Sequence, residues 1–270
     1  MKARALVFDL FGDYLRYRGG EVRLRGLIAL MDCFEVPAST VRVLATRLRA
    51  EGWLESRRDG RETSYLLTDA TWRLLDQGRS RIFDRVDGPW DGRWHVVLYS
   101  VPESERGLRE RLRKKLSWHG FGPLAPSVWL SPHDRVERLR ADLAELPPIR
   151  LDVFRSRSEG RAEDRDVAAR AWDLDGLNRD YAALLATYRP RLDRYRAGLP
   201  AREALVERMR LVYDYRKFPF RDPDLPAELL PDGWLGGAAH RVFLEAHELL
   251  RAPAESCVGG LLGDNGSSKM

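Results

Sequence analysis

The residues best suited to chemistry lie between Ser39 and Leu67, where serine, threonine and arginine surround a short apolar pattern. Val41, Leu44, Ala45 and Leu48 recur at helical spacing and predict a helix with one buried side. Arginine pairs with guanine through two hydrogen bonds, a threonine hydroxyl is versatile, and an exposed valine methyl suits thymine. The outward side of this helix, which we interpret as reading a DNA major groove, carries Ser39, Thr40, Arg42, Val43, Thr46 and Arg47.

A basic β-hairpin is predicted directly after this helix. Leu54–Arg57 and Thr63–Leu67 have the composition of two short strands, and the Asp59-Gly60 pair between them is a strong hairpin signal. Three arginines at the hairpin would meet phosphates or the minor groove: Arg57, Arg58 and Arg61. A helix followed by such a hairpin is the plan of a winged helix-turn-helix. An amphipathic helix with a solvated basic face is the alternative, and the combination with the hairpin disfavours it.

Two helices are predicted to support this pair of elements. Apolar spacing indicates one helix over Ala5–Tyr17, ended by Gly19-Gly20, and a second over Leu24–Phe34. A further helix, Thr68–Gln77, follows the hairpin. We therefore predict a winged helix DNA-binding domain over residues 1–80 and a charged, turn-rich linker over residues 81–93.

The central part of the chain predicts a second domain over residues 94–156. Strand and helix patterns alternate in the order βαββαβ, the ferredoxin-like arrangement. Its elements are Trp94–Ser100, Ser104–His119, Phe121–Leu124, Ser127–Leu130, His133–Leu146 and Ile149–Phe154.

The remaining sequence predicts a C-terminal α-helical domain over residues 157–258, so the fold class is α+β and multidomain. Helical patterns run through Leu177–Tyr188, Leu205–Tyr213 and Val242–Leu250, whereas Phe218–Trp234 is too rich in proline for a regular element. Residues 259–270 have the composition of a disordered tail.

Composition sets broad limits on the partners and location of the protein. Its 270 residues carry a net charge of +5, a mild bias that suits a nucleic-acid partner. No apolar run reaches the length of about 18 residues that a membrane-spanning helix needs, so we expect a cytoplasmic protein without a membrane partner. Cys33 and Cys257 lie far apart in the sequence and predict ordinary thiols rather than a zinc site or a disulfide framework.

Several motifs, taken in order, resemble the PaaX family of bacterial transcriptional repressors. The resemblance covers about residues 5–250, and the order and spacing of the motifs make it specific. The motifs are Gly12-Asp13-Tyr14, Ser39-Thr-Val-Arg42, Gly52-Trp53-Leu54, Tyr65-Leu66-Leu67-Thr68, Tyr99-Ser-Val-Pro102, Gly120-Phe121-Gly122, Val128-Trp129-Leu130-Ser-Pro132 and Phe218-Pro219.

The resemblance implies a winged helix domain, a central domain similar to Cas2-like folds, and a C-terminal helical domain, assembled as a homodimer. It further implies binding to double-stranded operator DNA and release by an acyl-CoA thioester such as phenylacetyl-CoA, in control of an aromatic-acid catabolic operon. No other cofactor is expected.

A basic run on the first helix of the central domain is a candidate effector site. Arginine offers bidentate geometry to phosphates of a CoA-type effector and lysine a point charge. The candidates are Arg111, Lys114 and Lys115, with Trp118 and Phe218 for an apolar group. The alternative is a solvated helix face.

An enzyme is the competing interpretation, either a Cas2-like metal-dependent nuclease or an acyl-CoA-processing protein with an appended DNA-binding domain. Such nucleases carry an aspartate at the end of the first strand, whereas the corresponding stretch here, Leu98–Pro102, has no carboxylate before Glu103. His240 and His247 do not form a zinc motif, and no nucleophile elbow is present. We therefore predict no catalytic and no metal-binding residues.

Overall fold

The computed structural model describes residues 1–60, 62–84, 89–144 and 146–263. Contacts divide the chain into two units. The first comprises residues 1–84, 184–216 and 238–270, and the second comprises residues 85–183 and 217–237. Across the described residues, no helix is both long enough and apolar enough to cross a membrane.

The N-terminal part of the first unit alternates helices with a small antiparallel sheet of order β1-β3-β2. The predicted hairpin and helices are confirmed, except that the first α-helix ends at Asp13 and is followed by a separate 3-10 helix, Leu15–Arg18. The structure also adds β1, which pairs with β3. Only three residues long and set between two helices, β1 lacks a recognisable alternating pattern. The elements are α1 (Ala3–Asp13), β1 (Glu21–Arg23), α2 (Leu24–Asp32), α3 (Ala38–Ala50), β2 (Leu54–Asp59), β3 (Glu62–Leu67) and α4 (Asp69–Phe83).

Local sequence explains why α3 begins and ends where it does. Pro37 precedes the helix in an extended conformation, where its missing N–H costs no hydrogen bond. At the other end Gly52 adopts a φ of 77°, and the Trp53 N–H donates to Leu48 O at 2.9 Å. This is a Schellman stop, in which glycine takes the left-handed conformation that other residues resist. The fixed ends set which side chains of α3 face outward.

Helix α4 extends further than the sequence indicates. Residues 78–83 continue the helix beyond its predicted end at Gln77, so the predicted linker is wrong for residues 81–83, and Phe83 packs against Phe243 with ring centroids 5.5 Å apart. Mixed charges and Gly78 obscure the periodicity here. Residues 85–88 of the linker lie outside the described part of the chain.

The C-terminal helices of the first unit include one that the sequence did not predict. Residues 251–262 form α12, so the predicted disordered tail is wrong for residues 259–262, while residues 264–270 lie outside the described range. Val258 and Gly259 are buried, and a Cβ on Gly26 of α2 would lie 2.7 Å from Leu262 Cδ2. Gly259 and Gly260 have low helix propensity, so the composition of this stretch did not predict a helix. The other helices that contribute to this unit are α8 (Leu174–Tyr188) from residue 184 onward, α9 (Leu192–Arg196), α10 (Ala201–Tyr215) and α11 (Gly236–Leu249) from residue 238 onward.

The second unit confirms the predicted βαββαβ order. Its four-stranded sheet has the order β5-β6-β4-β7, with every neighbouring pair antiparallel. Val97, Tyr99 and Trp129 face a core shared with α5 and α6. The elements are β4 (Trp94–Ser100), α5 (Arg106–Trp118), β5 (Gly122–Ala125), β6 (Val128–Ser131), α6 (Val136–Leu143) and β7 (Arg150–Ser156).

The other face of this sheet is covered by a helix that the sequence did not predict and by the proline-rich loop. Helix α7 (Arg161–Ala171) has few large apolar residues; Trp94 Nε1 donates to its Asp164 Oδ1 at 2.7 Å. Ala168, Leu225 and Leu229 pack with Trp94 in one cluster. The loop over residues 218–234 is irregular, as its prolines predict, apart from one short 3-10 helix, Ala227–Leu229.

Candidate nucleic-acid interface

All six predicted reading positions lie on the solvent side of α3. Val43 is decisive, because its side chain is 70% exposed in the middle of a helix whose other face is fully buried. A large apolar side chain in that position has no role in the packing of this chain. The exposed positions are Ser39, Thr40, Arg42, Val43, Thr46 and Arg47.

The two predicted arginines of α3 differ in their partners. Arg47 Nε donates to Glu51 Oε1 at 2.7 Å, and Arg4 contacts the other oxygen of Glu51 at 2.5 Å. The hydrogen bond from Arg47, together with that from Arg4, lowers the pKa of Glu51. Arg42 has no ion-pair partner among the described residues. Arg42 is therefore the freer cation for a base or phosphate.

The Thr46 hydroxyl is partly committed within the helix. Its Oγ1 lies 3.0 Å from Arg42 O and donates to that carbonyl one turn earlier. The hydroxyl lone pairs and the methyl group remain available on the outer surface. Thr46 is therefore equipped to accept a hydrogen bond from a base or to make an apolar contact.

The hairpin carries its arginines at the exposed end. Arg57 lies opposite Ser64 and Arg58 opposite Thr63, and Gly60 at the tip has a φ of 57°. Arg57 contacts Glu21 of β1 at 3.4 Å. Arg58 is exposed and forms no ion pair with any described residue, whereas the predicted Arg61 lies outside the described residues.

Sequence reasoning missed Arg49 as a member of this surface. Arg49 follows Arg42 by seven residues, two helical turns, so both lie on the same side of α3. Its Nη1 donates to Ser56 Oγ on β2 at 3.4 Å, which ties α3 to the hairpin. The seven-residue spacing between Arg42 and Arg49 is the signal in the sequence that places Arg49 on this surface.

The candidate effector positions on α5 form one stripe. Arg111, Lys114, Lys115 and Trp118 are spaced three, four and seven residues from the first, so they share a helix face. The Trp118 ring stacks on Phe220, with centroids 5.2 Å apart, and Phe220 is 39% exposed. The structure thus brings a basic stripe together with an aromatic pair in which Trp118 is half-buried and Phe220 is exposed.

Phe218, the fifth candidate, occupies a different environment. Its ring is 1% exposed and stacks on Tyr181 with centroids 4.4 Å apart. Phe218 is a core residue of the second unit, and burial leaves its ring no surface for a ligand. Its position anchors the segment that carries Phe220.

Comparisons with known proteins place the chain in a family. Three family models match it: PaaX-like protein over residues 2–71, PaaX protein central Cas2-like domain over residues 87–168, and PaaX-like protein C-terminal domain over residues 172–259. The chain is 31% identical over 263 residues to the transcriptional repressor PaaX of Escherichia coli (strain K12), covering 93% of this chain and 80% of that protein. The chain belongs to the PaaX family.

A solved structure shares the fold of this PaaX family member. Uncharacterized protein Rv0674 from Mycobacterium tuberculosis superimposes with a TM-score of 0.66 at 23% identity, covering 95% of this chain and 98% of the other. The family resemblance indicated by the sequence motifs is confirmed, as is a central Cas2-like domain.

The Cas2-like domain of this PaaX family member has no carboxylate at the end of its first strand. Strand β4 ends at Ser100, and Pro102 precedes Glu103. Asp152 lies opposite Leu98 in the register of β7 and contacts Arg150 at 3.3 Å. Within the described ranges, no group of three or more His, Cys, Asp and Glu residues is arranged to hold a metal ion.

Proposed function

We propose that the protein is a DNA-binding transcriptional regulator that reads operator DNA with α3. The single observation that carries this proposal is the outward face of α3, where exposed Val43 lies between hydroxyl and arginine side chains. An α-helix fits the major groove of B-DNA, and these residue types match its donor, acceptor and methyl pattern.

The surrounding elements support a winged helix-turn-helix. Helices α2 and α3 are joined by a short turn, and the β2–β3 hairpin follows α3 directly. In this arrangement α3 enters the major groove, and the hairpin acts as a wing whose Arg57, Arg58 and Arg61 meet phosphates or the minor groove. In such motifs the N-terminal residues of the recognition helix contact base edges, and Ser39 and Thr40 lie at the start of α3.

The comparisons support repression as the regulatory outcome. The Escherichia coli relative is named a transcriptional repressor, and its similarity extends over most of both chains. We propose that this protein likewise represses transcription and that it acts in the cytoplasm without catalysing a reaction. The regulated operon we propose is one for aromatic-acid catabolism of the phenylacetate type.

Operator recognition is proposed to require a homodimer. Two-fold symmetry would place two α3 helices in successive major grooves of a pseudo-palindromic site, with half-site centres about 34 Å apart or a multiple of it. Each copy would contribute one reading helix and one wing.

The proposed effector is an acyl-CoA thioester that binds along α5. Arg111, Lys114 and Lys115 supply cations for phosphates, and the half-buried Trp118 stacked on the exposed Phe220 supplies an aromatic surface for the acyl group. An effector that binds one arrangement of the dimer more tightly would lower DNA affinity by that difference in binding free energy.

A selection experiment tests the DNA-binding proposal. Purified protein is incubated with a random duplex library at about 150 mM salt, and enriched sequences are measured by fluorescence anisotropy. Val43→Asp, which puts a carboxylate into the proposed groove surface, should abolish binding. Leu244→Asp is the matched control, because Leu244 is an exposed apolar residue of α11. Equal binding by both variants, or affinity without sequence preference, would contradict the proposal.

A thermal-shift screen against acyl-CoA esters tests the effector proposal separately. A ligand that binds only the folded protein raises its Tm. The variant Arg111→Ala/Lys114→Ala should lose that shift, whereas Arg138→Ala on α6 should keep it. A shift that both variants retain would identify α5 as a solvated basic face.

A further inference from the structure

A cavity in the second unit lies outside every site described above. Its volume is about 360 Å³, and it is formed where the end of α7, the start of α8 and the 3-10 helix Ala227–Leu229 come together. Binding sites for small molecules occupy roughly 300–1,000 Å³, so the cavity has room for one small organic ligand. It shares no residue with the α3 surface or with the basic stripe on α5.

Hydrogen bonds hold the walls of this cavity in place. Arg165 Nε of α7 donates to Glu228 O at 3.0 Å and so ties α7 to the 3-10 helix. Gly176 N donates to Asp173 Oδ1 at 2.9 Å, which caps the start of α8. A Cβ on Gly176 would collide with the Asp173 carboxylate, so glycine is required for this cap. The cavity is therefore formed by elements whose positions are fixed.

The apolar part of the lining includes an indole ring. Leu174 and Leu229 belong to the core cluster that contains Trp94, and Trp172 packs against that cluster. The Trp172 ring stacks on Trp94 with centroids 6.3 Å apart and lies so close to Gly122 that a Cβ there would overlap it. Trp172 is half-buried, so packing fixes its ring while part of the ring stays accessible from the cavity.

The charges that line the cavity are mainly negative, although the whole chain carries a net charge of +5. Three carboxylates, those of Asp166, Asp173 and Asp175, face one guanidinium, that of Arg165. Asp166 contacts Arg170 at 3.0 Å, and Asp173 is engaged at the start of α8. Asp175 is exposed and forms no ion pair with any described residue. The site therefore disfavours anions and offers a cation one carboxylate without a counter-ion.

We propose that this cavity binds a small organic amine whose ammonium group is attached to an apolar ring. The ammonium group pairs with Asp175, and the ring packs against Trp172 and Leu229. A cation is also attracted to the face of an indole by the ring quadrupole, so Trp172 contributes to charge selection as well as to apolar contact. The ligand of this cavity thus has the opposite charge to DNA and to an acyl-CoA thioester, both of which are anionic.

Calorimetry of the full-length protein at neutral pH tests this charge selection with three probes of similar size. Benzylamine should bind at one site, benzyl alcohol about tenfold more weakly, and benzoate more weakly still. Raising the salt concentration from about 50 to about 500 mM should weaken the binding of benzylamine but not that of benzyl alcohol. Absence of benzylamine binding, or equal affinity for benzylamine and benzyl alcohol, would overturn the proposal.

A pair of variants tests the role of Asp175. Asp175→Asn keeps the shape of the side chain and removes its charge, so it should weaken benzylamine binding about threefold and leave benzyl alcohol binding unchanged. Asp193→Asn changes a carboxylate of α9 that is 91% exposed and should bind both probes like the wild type. Both changes are at exposed positions, and unchanged Tm values would verify that both variants fold. Equal benzylamine affinity of the two variants would contradict the proposed ion pair.

Fluorine NMR locates the bound amine. Full-length protein labelled with 5-fluorotryptophan should give one resonance for each of its eight tryptophans, and Trp172→Phe identifies the resonance of Trp172. Benzylamine should shift this resonance most, whereas the resonance of Trp53, which lies in the first unit, should not move. A largest shift at Trp118 would instead place the amine at the aromatic pair next to α5 and overturn the site.

Discussion

Arginines serve the first unit in two ways, on the α3 and hairpin surface and in the interior between α1, α10 and α11. Arg42 and Arg58 are exposed and, among the described residues, make no ion pair. Arg208, by contrast, has a side chain only 4% exposed and lies 3.7 Å from Asp13. Exposed cations without a partner are available to a polyanion, whereas buried ones are committed to the fold.

The interior cluster is built to hold its charges. Arg208 Nε donates to His247 O at 3.1 Å, and its guanidinium lies 5.1 Å from the centre of the Tyr14 ring. Arg216 donates to Asp9 at 2.6 Å. Helix α1 is thereby joined to α10 and its C-cap by two ion pairs, of which Arg208–Asp13 is almost fully buried, and Arg208 also hydrogen-bonds the backbone of α11. The contrast predicts that interior changes alter stability and surface changes alter DNA binding.

The largest effect is expected from Arg208→Ala. Its removal leaves Asp13 buried without its guanidinium partner, and breaking a buried pair in this way costs about 3–5 kcal/mol of unfolding free energy. Urea unfolding measures this loss. Arg138→Ala, which removes an exposed arginine of α6, should change stability by less than about 0.5 kcal/mol. A loss below about 1 kcal/mol for Arg208→Ala would break the distinction between the two regions.

The pH dependence of stability probes Asp9 in the same cluster. Burial raises the pKa of Asp9 from 3.8 to about 7, against the opposing effect of Arg216. Between these two values the folded protein binds more protons than the unfolded chain, so the contribution of Asp9 to stability falls as pH rises. The Asp9→Asn variant removes this pH-dependent contribution to the free energy of unfolding.

Unfolding of Asp9→Asn should be compared with the wild type at pH 4.5, 6 and 7.5, roughly spanning the window that the pKa shift defines. Relative to the wild type, the variant should gain up to about 3 kcal/mol across this range. Asp193→Asn changes a carboxylate that is 91% exposed and should follow the wild-type curve. Parallel curves for Asp9→Asn and the wild type would contradict the raised pKa.

On the surface, Arg42→Ala should leave stability within about 0.5 kcal/mol of the wild type. If Arg42 reads a base, the variant loses about 1–3 kcal/mol of discrimination between operator and random DNA. Competition binding at fixed salt measures this difference. Equal losses on both DNAs would show that Arg42 contacts a phosphate.

The smallest effect is expected from the hairpin. Arg58→Ala should weaken binding to operator and random DNA alike. It should also reduce the slope of the logarithm of the binding constant against the logarithm of salt concentration by about one. Arg57→Ala should have a weaker effect, because Glu21 already neutralises part of the Arg57 charge. Titrations at several salt concentrations compare them, and a larger loss for Arg57→Ala would reverse this ranking.

Local patterns in the sequence predicted elements whose periodicity is strong. The helix with buried Val41, Ala45 and Leu48, the Asp59-Gly60 hairpin and strand β4 all agree with the structure. Each is specified within a short window, by apolar spacing or by a turn residue. The outward residues of α3 followed from the same spacing, although their DNA contacts stay predictions.

The elements that sequence reasoning missed depend on distant contacts. Helices α7 and α12 have weak apolar patterns and are stabilised by packing on residues far along the chain, as Trp94 with Asp164 and Gly26 with Leu262 illustrate. No local period in the sequence records which helix packs against which.

The packing of α12 on α2 also bears on how the chain folds during synthesis. Helix α2 emerges from the ribosome early, whereas α12 is the last helix described and emerges long after it. The apolar surface of α2 that Leu262 covers must therefore wait for almost the whole chain before it is shielded. Contacts of such long sequence separation form slowly. Nascent chains stalled before α12 should consequently be the ones most prone to aggregation or chaperone capture.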